Sequence, residues 1–357
     1  MSTLNGLPVE QVIRIFFLAI VSFLAAFLLA PMLIRFLIAH RLGKQIRDSK
    51  LAPIFAKLHK NKTGTPTMGG ILVWGTTLIV VLLLWFFARI DGPFFNALNF
   101  FSRSQTYLPL AAFGAAAVIG LVDDLFNIYR IGPNGGGLRM RHRLILYAVI
   151  ALTGALWFYF KLDWDVLHIP FWGNLAVGAW YIPIFMFIII ATGFSVNQTD
   201  GLDGLAGGVL LAAFGAYAAI AFILGRYELA AFLAVIIGAL TVFIWYNIYP
   251  AKFFMGDTGS MSMGVTLGVV AMLTNYALLL PVIGAVLVIE ALSTLIQIGS
   301  RKLRQGKKVF LVAPIHHHLE AKGWPEPNVV FRLWLIAGFG AMVGVILMLL
   351  DRGVGIG

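Results

Sequence analysis

The chain has 357 residues, of which 60% are hydrophobic and only 11% charged, against about 45–50% apolar and about 25% charged in an ordinary soluble domain. With a mean hydropathy of +0.92, these values exclude a soluble enzyme, a disordered chain and a fibrous one, and leave an all-α polytopic membrane protein. The charge is basic, with 26 Lys and Arg against 15 Asp and Glu for a net +11, the balance expected beside anionic lipid or anionic substrates. Cysteine is absent, so no disulfide, zinc–thiolate site or cysteine nucleophile is available.

A spanning helix needs about 20 mostly apolar residues, and that rule predicts about ten spans. They lie near 11–38, 68–90, 106–126, 144–162, 178–196, 205–225, 228–247, 261–275, 277–298 and 329–350. The 261–275 segment is short and runs almost directly into the next through Thr274-Asn275-Tyr276, with Pro281 soon after. No internal repeat and no soluble domain is visible, so residues 1–357 are expected to form a single integral-membrane domain.

Lys and Arg are distributed unevenly between the connections. Arg41, Lys44, Arg47, Lys50, Lys57, Lys60 and Lys62 follow the first span. Arg130, Arg139, Arg141 and Arg143 follow the third, and Arg301, Lys302, Arg304, Lys307, Lys308 and Lys322 follow the ninth. The intervening connections hold only Arg89, Arg103, Lys161 and Arg226. Basic loops stay on the cytoplasmic side, so these loops are expected there and both termini outside.

The acids are few enough to place individually. Glu10, Asp48, Asp91, Asp163, Asp165, Glu228, Glu326 and Asp351 fall in loops or tails and read as solvated. Asp123, Asp124, Asp200, Asp203, Asp257 and Glu290 fall at span ends, between close spans or inside one, where ionisable groups are costly and functional. All of these except Glu290 lie on the side of the basic loops. Carboxylates beside a cationic surface suit a divalent metal and a phosphorylated substrate, since magnesium is held by one or two carboxylates plus substrate phosphates.

Each has a plainer reading too. Asp123 and Asp124, neighbours on a helix, point about 100° apart and are not expected to bind one metal alike; solvation of a helix end explains them equally well. Asn197, Asp200 and Asp203 recur at a spacing of about three, one face of a helix, though a turn is the alternative. Asp257 sits in Phe253-Phe254-Met255-Gly256-Asp257-Thr258-Gly259-Ser260, a short glycine-flanked loop of the kind that carries function. Glu290 reads equally as a structural residue facing the bundle.

His316-His317-His318 are consecutive, so they cannot all face one metal on a regular helix; hydrogen bonding to phosphate or substrate suits them better. Gly64-Thr65-Pro66-Thr67-Met68-Gly69-Gly70 opens the second span with groups that can present N–H and O–H to an anion. The run from Gly132 to Gly137 reads as a flexible loop.

Taken in order, GTPTMGG at 64–70, Asp123-Asp124, NQTDGLDGL at 197–205, Asn247 with FFMGDTGS at 253–260, and APIHHHLE at 313–320 resemble the phospho-N-acetylmuramoyl-pentapeptide transferases. These form a branch of the polyprenyl-phosphate N-acetylhexosamine-1-phosphate transferase superfamily, and the match runs nearly end to end. The resemblance implies ten spans in the bacterial inner membrane and a site facing the cytoplasm. It implies magnesium-dependent transfer of phospho-N-acetylmuramoyl-pentapeptide from UDP to undecaprenyl phosphate, giving lipid I and UMP for peptidoglycan synthesis. UDP-N-acetylmuramoyl-pentapeptide, undecaprenyl phosphate and membrane lipid are the implied partners, with a homodimer as an option and no nucleic acid.

Carried over by motif, Asp257 would bind magnesium. Asp123 would be base or nucleophile, with Asp124 and His316 beside it. Asn247, Phe254, Leu202 and Asp203 would line a uridine pocket supported by Asp200. Lys62, Thr67, Asn197, His317, His318 and Arg143 would complete the polar site. Two departures touch the basic contacts: Asn127 and Arg143 stand where the family usually has lysines. The sister N-acetylglucosamine-1-phosphate transfer and, more distantly, an ion-coupled transporter are the competing readings.

Overall fold

The computed structural model describes residues 3–4, 7–43, 62, 64–90, 92–102, 105–132 and 136–353. Lys44, Arg47, Lys50, Lys57, Lys60, Arg103, Asp48 and Asp91 lie outside the described residues, as does Pro133-Asn134-Gly135 of the glycine run.

In chain order the helices are α1 (Val9–Ala39), α2 (Ile71–Ile90), α3 (Pro93–Leu98), α4 (Tyr107–Ile128) and α5 (Met140–Lys161). They continue as α6 (Tyr181–Thr199), α7 (Leu205–Ile223), α8 (Tyr227–Asn247) and α9 (Gly256–Thr274). The last are α10 (Leu280–Ile283), α11 (Ala285–Leu303), α12 (Ile315–Ala321) and α13 (Glu326–Asp351).

Among the described residues, eight helices are long and apolar enough to cross a membrane: α1, α2, α4, α5, α6, α7, α8 and α13. The bent pair Ala277–Ile283 and Ala285–Leu303 makes nine if it is one span. The sequence predicted about ten, and the differences fall on its eighth and ninth spans. At 1.5 Å per residue α9 reaches about 28 Å, enough to span, but its polar and glycine content takes it below the apolarity of a lipid-facing helix. Packing explains this: apart from Asp257 every residue of α9 is buried. It is enclosed by α2, α4, α6 and α7, so protein rather than lipid is its solvent. Small residues let those helices close in. A Cβ on Gly120 of α4 would stand 2.3 Å from the Asp257 carbonyl oxygen, and one on Gly70 would stand 2.2 Å from Gly259 Cα. The predicted 277–298 span is broken by 83° at the junction of α10 and α11.

Outer helices carry the lipid-facing surface, with Phe16, Leu28, Phe86, Phe160 and Phe339 all exposed. The C-terminal end of α9 is closed by an antiparallel hairpin, β1 (Val166–Ile169) with β2 (Gly173–Ala176). There Asp351 accepts from Tyr276 Oη at 2.8 Å and from the Phe171 N–H at 2.5 Å, and its Oδ2 lies 2.7 Å from His168 Nε2. The sequence reading of Asp351 as a solvated acid is corrected: it ties the last helix to the hairpin. The basic and acidic motifs gather at the other end of α9.

Candidate active site

The site is organised by the N-terminus of α9. A helix start leaves unsatisfied N–H groups, and here a neighbouring helix supplies the acceptors. Asp124 of α4 accepts from the Asp257 N–H at 3.0 Å and from the Thr258 N–H at 2.9 Å. Its charge complements the positive end of the helix. Gly256 makes the turn into α9 with φ +76°, and a Cβ there would stand 2.6 Å from Asp124 Oδ2, so both the conformation and the contact need glycine. Asp123, one residue earlier and rotated away, is fully buried. Its Oδ1 accepts from the Leu138 N–H at 2.6 Å. The two aspartates therefore diverge as their helical spacing requires. The glycine run is more than a loop: its described end, Gly136–Gly137, packs on Asn127 and leads the Leu138 N–H to Asp123.

Arg143, near the start of α5, holds the carboxylates together. Its Nη1 and Nη2 donate to Asp257 Oδ1 at 3.1 Å and Oδ2 at 3.0 Å. Its Nε stands 2.6 Å from Asp123 Oδ2, an ion pair without hydrogen-bond alignment. Nη1 also donates to Asn197 Oδ1 at 3.3 Å. Asn197 in turn donates to Asp257 Oδ1 at 2.6 Å and to Ser260 Oγ at 3.1 Å, and Asn127 Nδ2 lies 3.5 Å from Asp257 Oδ2. Both departures from the family pattern thus sit on one carboxylate. Tyr147, one turn beyond Arg143, is buried, and its hydroxyl has no hydrogen-bond partner among the described residues.

A second cluster joins Lys62, Asp203 and Glu326. Lys62 Nζ lies 2.6 Å from Asp203 Oδ1 and 2.5 Å from Glu326 Oε1. Glu326 Oε1 also accepts the Asp203 N–H at 2.8 Å, and Asp203 Oδ2 accepts the Ala251 N–H at 3.0 Å. Asn247 bridges two loops, accepting from the Gly204 N–H at 3.0 Å and donating to the Phe253 carbonyl at 2.8 Å. Lys62 Nζ is 5.9 Å from the Phe254 ring centroid. Leu202 is buried and Asp200 half-buried on the same 200–204 loop. A groove of about 160 Å³ opens beside Asp203, between Ile248, Tyr249 and Phe331. Glu326, read from sequence as a solvated acid, is corrected to a partly buried member of this cluster. No local motif announced it; only the fold brings the first turn of α13 to the loop.

The GTPTMGG segment is clamped to the loop before α9. The Phe254 N–H donates to Pro66 O at 2.8 Å, and the Gly69 and Gly70 N–H groups donate to Phe254 O and Met255 O at 2.7 and 2.8 Å. These N–H groups are therefore spent on the backbone, and Thr67 is buried.

The histidines diverge. His316 Nδ1 lies 2.8 Å from Glu290 Oε2, both residues being fully buried. The ring packs on Gly201, where a Cβ would stand 2.2 Å from its Nε2. His317 Nδ1 lies 2.8 Å from Glu320 Oε2. His318 Nδ1 accepts from the Leu311 N–H at 3.1 Å, and partial burial followed by Lys322 lowers its pKa.

Among the described residues no three His, Cys, Asp or Glu side chains gather as a metal cage. The fit to magnesium rests on fewer donors. Asp257 is partly exposed, and Asp123 Oδ2 is buried without a hydrogen-bond partner. Two hard carboxylates completed by phosphate oxygens and water match magnesium's habit.

Comparison with known proteins gives a consistent result. Residues 106–275 match the family described as glycosyl transferase family 4. Over 98% of this chain, a phospho-N-acetylmuramoyl-pentapeptide-transferase of Chloroflexus aurantiacus is 38% identical, with 94% of that relative covered. The proteins of the same name from Thermodesulfovibrio yellowstonii and Desulfosudis oleivorans are 37% and 36% identical, over 98% and 93% of this chain and 95% and 92% of theirs.

Proposed function

Because the chain belongs to the phospho-N-acetylmuramoyl-pentapeptide transferase family, we propose that it transfers phospho-N-acetylmuramoyl-pentapeptide from UDP to undecaprenyl phosphate, making lipid I for peptidoglycan. The observation that carries this reading is the convergence of Asp123, Asp124, Asn197, Asp257 and Arg143 on one end of a buried helix inside an apolar bundle. An oxygen of the lipid phosphate attacks the phosphorus that bears the amino sugar. That P–O bond forms, the bond to the uridine-bearing phosphate breaks, and UMP leaves with the bridging oxygen.

Anion attack on an anion needs charge neutralisation at the reacting phosphorus. Asp257, with Asp123, would hold magnesium, which supplies that neutralisation on the diphosphate when bound. Arg143 presents a planar fork suited to phosphate oxygens. Asp124 keeps Asp257 at the head of α9, and Asn197 orients its Oδ1. Phe254 offers a ring for uracil with Lys62 beside it, while the 200–204 loop holds the nucleotide end. A phosphate monoester with its second pKa near about 6 is mostly dianionic at neutral pH, so positioning carries more of the work than proton removal, and Asp123 acts as a base only for the remaining monoanion. The site faces the cytoplasm of the inner membrane, where the basic loops belong.

Asp257→Asn tests the assignment. A neutral amide is a poorer ligand for a hard cation, so the variant should fold normally yet lose nearly all magnesium-dependent UMP release. Near-normal turnover in a folded variant would remove Asp257 from the chemistry.

A further inference from the structure

We propose that Arg143 occupies the cation position between Asp123 and Asp257, so that magnesium binds only by displacing its guanidinium. The inference rests on the magnesium-dependent reading above. One side chain makes both Asp257 contacts, at 3.1 and 3.0 Å, the 2.6 Å ion pair with Asp123 and the 3.3 Å contact with Asn197. These are the oxygens a hard cation would take. A guanidinium does not deprotonate in a protein, so it cannot vacate the site by losing its charge. It leaves only if other anions receive it.

The substrates bring such anions. A guanidinium fork pairs with phosphate oxygens in bidentate fashion as readily as with a carboxylate. The diphosphate that completes magnesium's coordination would also take Arg143 from Asp257. Arg143 thus serves as a positioning residue: it prevents the buried Asp123 and the partly exposed Asp257 from facing each other uncompensated, and it delays metal entry until substrate arrives. A lysine, a single point charge without a fork, would span Asp123, Asp257 and Asn197 less completely.

The test is direct binding of Mn2+ alone, read by its paramagnetic resonance, to the full-length protein in detergent without nucleotide. Arg143→Gln should bind Mn2+ about tenfold or more tightly than the parent, because close charge pairs couple strongly enough to produce at least that ratio. Arg143→Lys should fall between them, and it substitutes for the glutamine variant if that one melts early. Adding Asp257→Asn to either background should abolish the gain, assigning it to this site. Equal or weaker binding in both Arg143 variants would overturn the displacement idea while leaving Asp257 as the metal ligand. If neither parent nor variants bind Mn2+ at all, the magnesium reading falls and the displacement idea with it.

Discussion

Gly120 is the point where α4 meets the head of α9, and its replacement by alanine should separate packing from propensity. The new Cβ would stand 2.3 Å from Asp257 O, 2.5 Å from Asp257 C and 2.5 Å from Thr258 Cα. All three are backbone atoms, so no side-chain rotation relieves the contact. Overpacking typically costs about 1–3 kcal/mol, and about 1 kcal/mol returns because alanine favours helix. The net loss of stability should be about 0–2 kcal/mol. Activity should suffer more than stability, because the only relief is to push the first turn of α9, and Asp257 with it, away from α4. A displacement near 1 Å at a reacting centre costs about 100-fold, so UMP release should fall by about 10- to 100-fold in protein that still melts cooperatively. Gly114→Ala on the same helix is the control: nothing lies within 4 Å of its Cβ, and it should match or exceed the parent in melting temperature at full activity. Parent-like activity in Gly120→Ala, or equal damage from Gly114→Ala, would refute the argument that α4 positions Asp257 by close backbone contact.

Two further outcomes test the nucleotide end and the orientation. Phe254→Ala should weaken binding of the UDP donor by about 1–3 kcal/mol, the range for base–aromatic contacts, while the KM for undecaprenyl phosphate hardly moves; equal loss for both substrates would point to a collapsed loop instead. Single cysteines placed at 39–67, 126–143 or 299–328 should resist an impermeant thiol reagent added outside intact cells, and labelling there would reverse the orientation read from the basic loops.

Much of this architecture was legible in the residues. Apolar runs located α1, α2, α4 to α8 and α13, whether the helix faces lipid, as α1 does, or is mostly enclosed by protein, as α8 is. The 261–275 run found most of α9 but missed its first turn, because a helix enclosed by protein need not be apolar and Gly259, Ser260, Ser262 and Gly264 are all buried there. The divergence of Asp123 and Asp124 followed from helical geometry, but which one would cap α9 did not, since the partner N–H groups lie more than a hundred residues away. Glu326 and Asp351 were misread for the same cause. Both fall at the ends of α13, where sequence suggests solvent, and both are partly buried by segments distant in the chain. Glu290 showed its depth but not its partner His316. Arg143 and Asn127 stood out as departures, and only the structure brings both to Asp257.

Donor choice is the most direct measurement of the central claim. Purified protein should be given undecaprenyl phosphate and magnesium with either UDP-N-acetylmuramoyl-pentapeptide or UDP-N-acetylglucosamine, following UMP release and the mass of the lipid product. Stoichiometric UMP and lipid I are expected from the first donor, with turnover of the second lower by orders of magnitude and nearly all of it lost in Asp257→Asn. Preferential consumption of UDP-N-acetylglucosamine, or UMP release that persists in Asp257→Asn, would contradict it.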